Sequence, residues 1–224
     1  MLGNYCIIKN FKNMADNSGG MALRVFFNKK IIWFKPSRTA GSSLTREIST
    51  NYIHEWDIKK CIDENIGHQH VNLFTKLTDE EIINNYWKFI IVRNPFDRLV
   101  SAWKWSIRAL NMEKNISFEK FVKSKIVDKD NNFTNPHWSL QITGGEYKGK
   151  MLYDYIGRFE DLPESWNYIS RAFGKTPSLH TIVNQTTDPK FKEKDSYKKH
   201  YTDELIEITS KIYKKDLEAF NYEF

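Results

Sequence analysis

The sequence predicts an α/β protein: a three-layer, P-loop-like parallel sheet flanked by helices on both faces. Three observations indicate this class. The short apolar runs 31–34 and 87–92 are almost continuous, which is typical of strands covered on both faces. Each run is followed by residues that start a helix, and amphipathic helical patterns occupy much of the remaining chain. Buried strands that alternate with helices are the pattern of a mostly parallel sheet.

The first predicted elements lie in "LRVFFNKKIIWFKPSRTAGSSL". Two apolar runs separated by "NKK" indicate a hairpin or an edge strand followed by a buried strand over 31–34. Ser42 or Ser43 is predicted to cap the helix that follows. Leu44 and Ile48, four residues apart, would form the apolar face of that helix.

The middle of the chain repeats the order of strand and helix. Thr78 and Glu81 have the spacing of a capping box, which predicts a helix start near residue 79. "WKFIIV" predicts a second buried strand. Asn94 and Pro95 are the cap and first residue of the next helix, and a short helix is expected from Ser117.

Toward the end of the chain, "YDYIGRF" predicts a strand, and Pro163 and Gly174 bracket a helix. The region 127–150 is the longest irregular stretch and is predicted to be a loop that faces the substrate. The last segment is predicted to be one amphipathic helix capped by Thr202. Its apolar stripe consists of Leu205, Ile208, Ile212, Leu217 and Phe220.

Composition limits the classes of function. The chain has 224 residues, which suits one α/β domain. Lys and Arg number 34 against 28 for Asp and Glu, a net charge of +6 that favours an anionic ligand. The cations are spread along the chain and no RNA- or DNA-binding motif is visible, so we expect no nucleic-acid partner. We predict an N-terminal arm over residues 1–20 that is flexible, and a single domain over 21–224.

Cysteine usage and targeting signals indicate a cytoplasmic location. Cys6 and Cys61 are not part of a Cys-x-x-Cys pair, so neither a zinc site nor a redox motif is indicated. The first residues lack the apolar stretch of roughly 7–15 residues that a signal peptide needs. No run of roughly 18 apolar residues occurs, so we expect a soluble protein without a transmembrane helix.

The turn "KPSRTAGSSL" predicts an anion site at the end of the first buried strand. Ala40 and Gly41 would let the backbone approach a ligand closely. The amides at the start of the helix point toward this position. The side chains expected to contribute charge or hydroxyl groups are Lys35, Arg38, Thr39, Ser42 and Ser43.

This turn differs from a nucleotide-triphosphate loop. No Lys follows Gly41, whereas the Walker pattern requires one. The second buried strand ends in Arg93, where an ATPase has an Asp for magnesium. Arg93 lies where open α/β sheets bind ligands, and Ser101 follows on the next helix. The sequence therefore predicts two anionic groups and no metal.

Together, "SRTAGSSL" and "VRNPFDRLVSAW" resemble the paired cofactor motifs of the sulfotransferases that use 3′-phosphoadenosine 5′-phosphosulfate (PAPS) and release 3′,5′-phosphoadenosine (PAP). The likeness is to the branch of Golgi carbohydrate sulfotransferases and soluble bacterial relatives, and it covers most of residues 31–222. It implies that Arg93 and Ser101 bind the 3′-phosphate. It also implies that the first loop binds the 5′-phosphosulfate through Arg38, Thr39, Ala40, Gly41, Ser42, Ser43 and Leu44.

The resemblance also implies a reaction: metal-free, in-line transfer of the sulfuryl group to a hydroxyl group of a carbohydrate acceptor. Arg38 stands where the family has its catalytic Lys. An Arg does not deprotonate and so cannot act as a proton donor of the Lys type. The nearby Lys35 is therefore the second candidate for this role. His70 is the first choice for the base and His68 the alternate. A His-x-His metal site is disfavoured because no further His or Cys lies near in sequence.

The acceptor pocket is expected in the long loop. His137, Trp138 and Gln141 are predicted to line it or to contact the adenine of the donor. Packing of the loop on its own aromatic side chain is the alternative. The alternative enzyme class is a P-loop nucleotide or small-molecule kinase. The missing Walker residues and Arg93 count against that alternative.

Overall fold

The structure is a computed structural model. It describes residues 22–26, 29–51, 84–109, 116–127, 135, 137–142, 146–147, 150–174 and 196–224. Several predicted features lie outside these residues: the arm over 1–20, the capping box of Thr78 and Glu81, and the two histidines His68 and His70.

A four-stranded sheet forms the centre of the described structure. Its order is β1 (Ala22–Phe26), β2 (Ile31–Lys35), β3 (Trp87–Val92) and β6 (Tyr155–Arg158). β1 pairs antiparallel with β2, whereas β2, β3 and β6 are parallel. The α/β class and the predicted hairpin are therefore confirmed. A separate antiparallel pair consists of β4 (Glu146–Tyr147) and β5 (Lys150–Met151).

Helices follow the parallel strands, as the sequence predicts. They are α1 (Gly41–Asn51), α2 (Pro95–Ala109), α3 (Phe118–Phe121), α4 (Leu162–Ala172), α5 (Asp203–Ile212) and α6 (Lys214–Phe220). α3 continues into a π-helical segment, Val122–Val127, and a 3₁₀ turn, Lys198–His200, precedes α5.

Most predicted helix signals lie where the helices begin or end. Asn94 Oδ1 accepts a hydrogen bond from the Phe96 amide at 3.0 Å, and Pro95 is the first residue of α2. Thr202 caps α5 in the same way. Gly174 follows α4 with a φ of 81°, a conformation that favours glycine.

Two predictions about helix boundaries are wrong. Ser42 and Ser43 do not precede α1 as caps, because the helix already begins at Gly41. The last segment is two helices and not one, because they divide at Tyr213. The buried Tyr213 hydroxyl donates to the Trp138 carbonyl at 2.6 Å, a tertiary contact that fixes the helix junction.

The core lies on both sides of the strands because alternate residues of a strand point to opposite faces. On one face, Trp33 and Phe89 stack with their ring centroids 5.7 Å apart and pack against α1 and α4. On the other face, Ile32 and Ile90 belong to a second cluster with Phe220 of α6. The strands are thus packed on both faces, and this packing positions the loops at their carboxyl ends. Among the described helices, none combines the length and apolar character that crossing a bilayer requires.

Candidate active site

The loop between β2 and α1 forms a tight turn. Arg38 and Ala40 adopt left-handed conformations, with φ of 70° and 62°. The buried Thr39 hydroxyl donates to the Pro36 carbonyl at 2.7 Å and closes the turn. Successive amides in a turn of this kind make an anion-binding concavity.

The first amides of α1 are available to a ligand. The Leu44 amide donates to the Ala40 carbonyl at 3.0 Å, so the helical ladder begins there. The amides of Gly41, Ser42 and Ser43 precede it and have no helical acceptor. α1 has no acidic residue in its first turn, so its positive end is not neutralised by its own side chains.

Two residues predicted to bind the donor are used by the protein itself. The Thr39 hydroxyl is committed to Pro36, and its side chain is completely buried. The Leu44 amide is committed to Ala40, and its side chain packs in the core. The structure therefore gives Thr39 and Leu44 supporting positions, whereas Ser42 and Ser43 are exposed beside the free amides.

Gly41 makes room for a side chain of the protein, and its contact with a ligand stays a prediction. A Cβ placed on Gly41 would lie 2.4 Å from Cε of Lys35. The Lys35 stem therefore lies against the first residue of α1. Burial, together with the positive charge of Arg24, lowers the pKa of Lys35 from 10.5 to about 8.

The two predicted anion-binding motifs meet. Arg38 donates from Nε and Nη2 to the Ser101 Oγ at 3.2 and 3.0 Å. Arg93 donates from Nη1 to the Arg38 carbonyl oxygen at 3.2 Å. The carboxyl ends of adjacent parallel strands lie at one edge of a sheet, and this topology brings the three residues together.

Arg93 is held in place by neighbours on three sides. Its Nε contacts Asp97 Oδ2 at 2.8 Å, one helical turn along α2. Its guanidinium lies over the Phe159 ring, 4.1 Å from the centroid. Its backbone amide donates to Gln141 Oε1 at 2.9 Å. A side chain fixed in this way loses little entropy when it binds an anion.

Positive charge is concentrated at this edge. Burial, together with the charges of Arg93, Arg108 and Arg98, lowers the pKa of Arg38 to about 10. Such shifts show that the cations repel one another and are partly removed from water. An anion bound among them would relieve both effects.

A buried polar network supports the site from below. Arg98 donates to the Ser37 carbonyl at 2.9 Å and to the Ser139 carbonyl at 2.6 Å, which ties the anion loop to α2. Asp216 accepts from the amides of Gln141 and Ile142. Burial raises the pKa of the Asp216 carboxyl, and the charge of Arg98 opposes that rise.

The sequence reasoning missed Arg98 and Asp216, although each carried a signal. Arg98 stands inside the quoted motif next to Leu99 and Val100, in an otherwise buried run. Asp216 lies four residues from both Ile212 and Phe220, so it interrupts an apolar stripe. A charge at a core position is usually paired, and that rule could have identified both residues.

The residues predicted to contact the acceptor occupy different environments. Gln141 is fully buried and bonds to both backbone groups of Arg93, so the structure gives it a supporting position and not the predicted contact. The His137 ring stacks on Trp105 with a centroid distance of 3.5 Å. Trp138 is half-buried and packs edge-on against Phe121. A role for His137 and Trp138 in acceptor binding stays a prediction.

Metal-ligating side chains do not cluster in the part of the chain that the structure describes: no group of three or more His, Cys, Asp or Glu residues is present there. The candidate site is instead built from cations, amides and hydroxyl groups.

Comparison with known proteins assigns the family. The profile of the sulfotransferase family matches residues 21–223. Carbohydrate sulfotransferase 11 of Rattus norvegicus is 28% identical over 175 residues, which cover 62% of this chain and 48% of that protein. Carbohydrate sulfotransferase 10 of Danio rerio is 39% identical over 111 residues, covering 46% of this chain and 29% of that protein.

An uncharacterized protein of Archaeoglobus fulgidus is 26% identical over 114 residues, covering 51% of this chain and 89% of that protein. No solved structure matches this chain. The matches span about half or less of the length of the two carbohydrate sulfotransferases. Because the family profile covers nearly all of residues 21–224, the chain belongs to the sulfotransferase family.

Proposed function

We propose that this protein transfers the sulfuryl group of PAPS to a hydroxyl group of a carbohydrate acceptor by metal-free in-line transfer. The observation that carries the proposal is the convergence of Arg38, Arg93 and Ser101 at the ends of β2 and β3. Two cationic motifs from distant parts of the chain therefore lie side by side. A single donor molecule that is anionic at both ends requires this arrangement.

The residues at the site fit PAPS. Its 5′-phosphosulfate would lie near the free amides of α1 and the exposed hydroxyl groups of Ser42 and Ser43. Its 3′-phosphate would accept hydrogen bonds from the guanidinium of Arg93 and the hydroxyl of Ser101. A transferred sulfuryl group carries less charge than a γ-phosphoryl group, so cationic side chains replace a metal ion in this proposal.

The acceptor and the base follow from the family. The relatives named carbohydrate sulfotransferases support a glycan hydroxyl as acceptor. His70, with His68 as the alternate, would take the proton from that hydroxyl. We also propose the complete three-layer, P-loop-like arrangement typical of such donors. The cytoplasmic location stays a prediction from the sequence.

A thermal-shift measurement tests the donor. PAP at 100 times its Kd should stabilise the fold by about 2.7 kcal/mol. For a protein of this size that corresponds to an increase in Tm of roughly 5–10 °C. The increase should occur without magnesium. Stabilisation by ATP with magnesium, and none by PAP, would instead support the kinase alternative.

Turnover tests the reaction. Labelled PAPS offered to an array of glycans, phenols and small alcohols should label a glycan. His70→Ala should abolish turnover and leave PAP binding intact, because a base contacts the acceptor and not the donor. Unchanged turnover in this variant would contradict the assignment of the base.

A further inference from the structure

We propose that Lys35, and not Arg38, contacts the bridging oxygen of the donor during sulfuryl transfer, and that Arg38 joins Arg93 and Ser101 at the 3′-phosphate. This inference rests on the proposed function and assigns its cations differently. The resemblance by motif position places Arg38 at the catalytic lysine. The side chains in the structure favour a division of that role.

Arg38 is turned away from its own loop. Its left-handed backbone conformation, with φ of 70°, is associated with a side chain that reaches across to α2. There Nε and Nη2 both donate to the Ser101 hydroxyl. A guanidinium presents its donors as a planar fork that suits the oxygens of a phosphate. Arg38 is therefore already next to the hydroxyl assigned to the 3′-phosphate.

Lys35, and not Arg38, lies beside the first residue of α1. Three atoms of its stem, Cε, Cγ and Cδ, lie 2.4, 3.2 and 3.3 Å from the position of a Cβ on Gly41. Its ammonium group is one bond beyond Cε, beside the first turn of α1. The free amides of that turn and the ammonium group would thus contact the same anion.

Among the described residues, a cation and not a carboxylate acts on this ammonium group. That cation is Arg24 of β1. Gly41 of α1 lies against the lysine stem, and Nζ is 5.6 Å from the centroid of the Trp33 ring. The positive end of α1 adds to the unfavourable field. A bound phosphosulfate would supply a compensating negative charge.

The chemical step accounts for the choice of a lysine. The bond from sulfur to the bridging oxygen breaks, and its electron pair stays on that oxygen of PAP. A new bond forms between sulfur and the acceptor oxygen, whose proton leaves to the base. Lys35 donates a hydrogen bond to the bridging oxygen as negative charge develops there. The lysine must be protonated, so this contribution is lost as the pH rises through its pKa of about 8.

Substitutions at the two positions separate the roles. Lys35→Met should lower kcat about 100-fold and weaken the binding of PAP and of AMP by equal factors, because both nucleotides carry the 5′-phosphate oxygen that Lys35 contacts. Arg38→Met should raise the Kd of PAP about 10- to 100-fold and leave the Kd of AMP, which lacks the 3′-phosphate, nearly unchanged. Lys211→Met, at an exposed position on α5, is the control for loss of one charge.

The pH profile provides a second measurement that a structural role would not change. In the native enzyme, kcat/KM, which reports the free enzyme, should fall above about pH 8, and in Lys35→Arg this decline should move to higher pH because a guanidinium stays charged. The inference is overturned if Lys35→Met retains native kcat, or if Arg38→Met leaves the ratio of the PAP and AMP affinities at its native value. If the native protein neither binds PAP nor transfers sulfuryl groups, the proposed function fails, and the inference fails with it.

Discussion

Replacing Gly41 with alanine should produce a stable protein with low activity. The new Cβ would lie 2.4 Å from Cε of Lys35, whereas ordinary contacts begin near 3.4 Å. The lysine must therefore move by about 1 Å or more. A displacement of this size in a group that contacts the reacting atoms costs on the order of 100-fold in rate.

The fold should tolerate the change, since the atom that must move belongs to a flexible side chain. Gly41 is the first residue of α1, and alanine is favoured over glycine in a helix by up to about 1 kcal/mol. We therefore expect Tm to stay within about 4 °C of the native value. The assay compares kcat with labelled PAPS and Tm for the same preparation.

Gly157→Ala, in strand β6, is a matched control. Its Cβ would lie 2.5 Å from Ile91 Cδ1 and 2.9 Å from Ser165 Cβ, and these atoms cannot move freely. Overpacking should destabilise the fold by about 1–3 kcal/mol and leave kcat of the folded protein unchanged. If Gly41→Ala instead retains native kcat at native stability, the position of Lys35 is not required for the reaction.

Three other perturbations test the site and its support. Arg93→Met should abolish the increase in Tm caused by PAP, whereas Arg171→Met, at an exposed position on α4, should retain it. Lys35→Met should raise the free energy of unfolding at pH 7 by at most about 3 kcal/mol. Between about pH 8 and 10.5 the protein with Lys35 keeps the lysine proton when it is unfolded but has lost it when it is folded, so its stability rises with pH. The difference in stability from Lys35→Met should therefore vanish above pH 10.5. A difference in urea unfolding that stays constant with pH would contradict the burial argument. Arg98→Met should lower stability by about 3–5 kcal/mol because it leaves Asp216 buried without its cation, and a loss below about 1 kcal/mol would argue against the network.

Local signals in the sequence were sufficient wherever a residue acts on its own neighbours. The caps Asn94 and Thr202 and the left-handed Gly174 lie at the predicted helix ends. Both buried runs are strands, and both anion motifs follow parallel strands. These features depend on steric restrictions and hydrogen bonds within a few residues, so they can be recognised without the fold.

The direction of each functional side chain depended on partners that are distant along the chain. Arg38 and Ser101 are 63 residues apart, and only the pairing of β2 with β3 shows that they meet. The Lys35 side chain returns to Gly41 around the turn, a contact that the spacing of the two residues does not reveal. Asp216, whose negative charge acts on the buried Arg98, comes from the last helix.

The sequence by itself determined the family, the strand-loop-helix units and the excess of cations at their junctions. The tertiary structure decided which cation lies against the α1 amides and which reaches Ser101. The physical reason is that charge and backbone preference are properties of a residue and its neighbours. The orientation and pKa of a buried cation are set instead by packing and by the charges that the fold brings beside it.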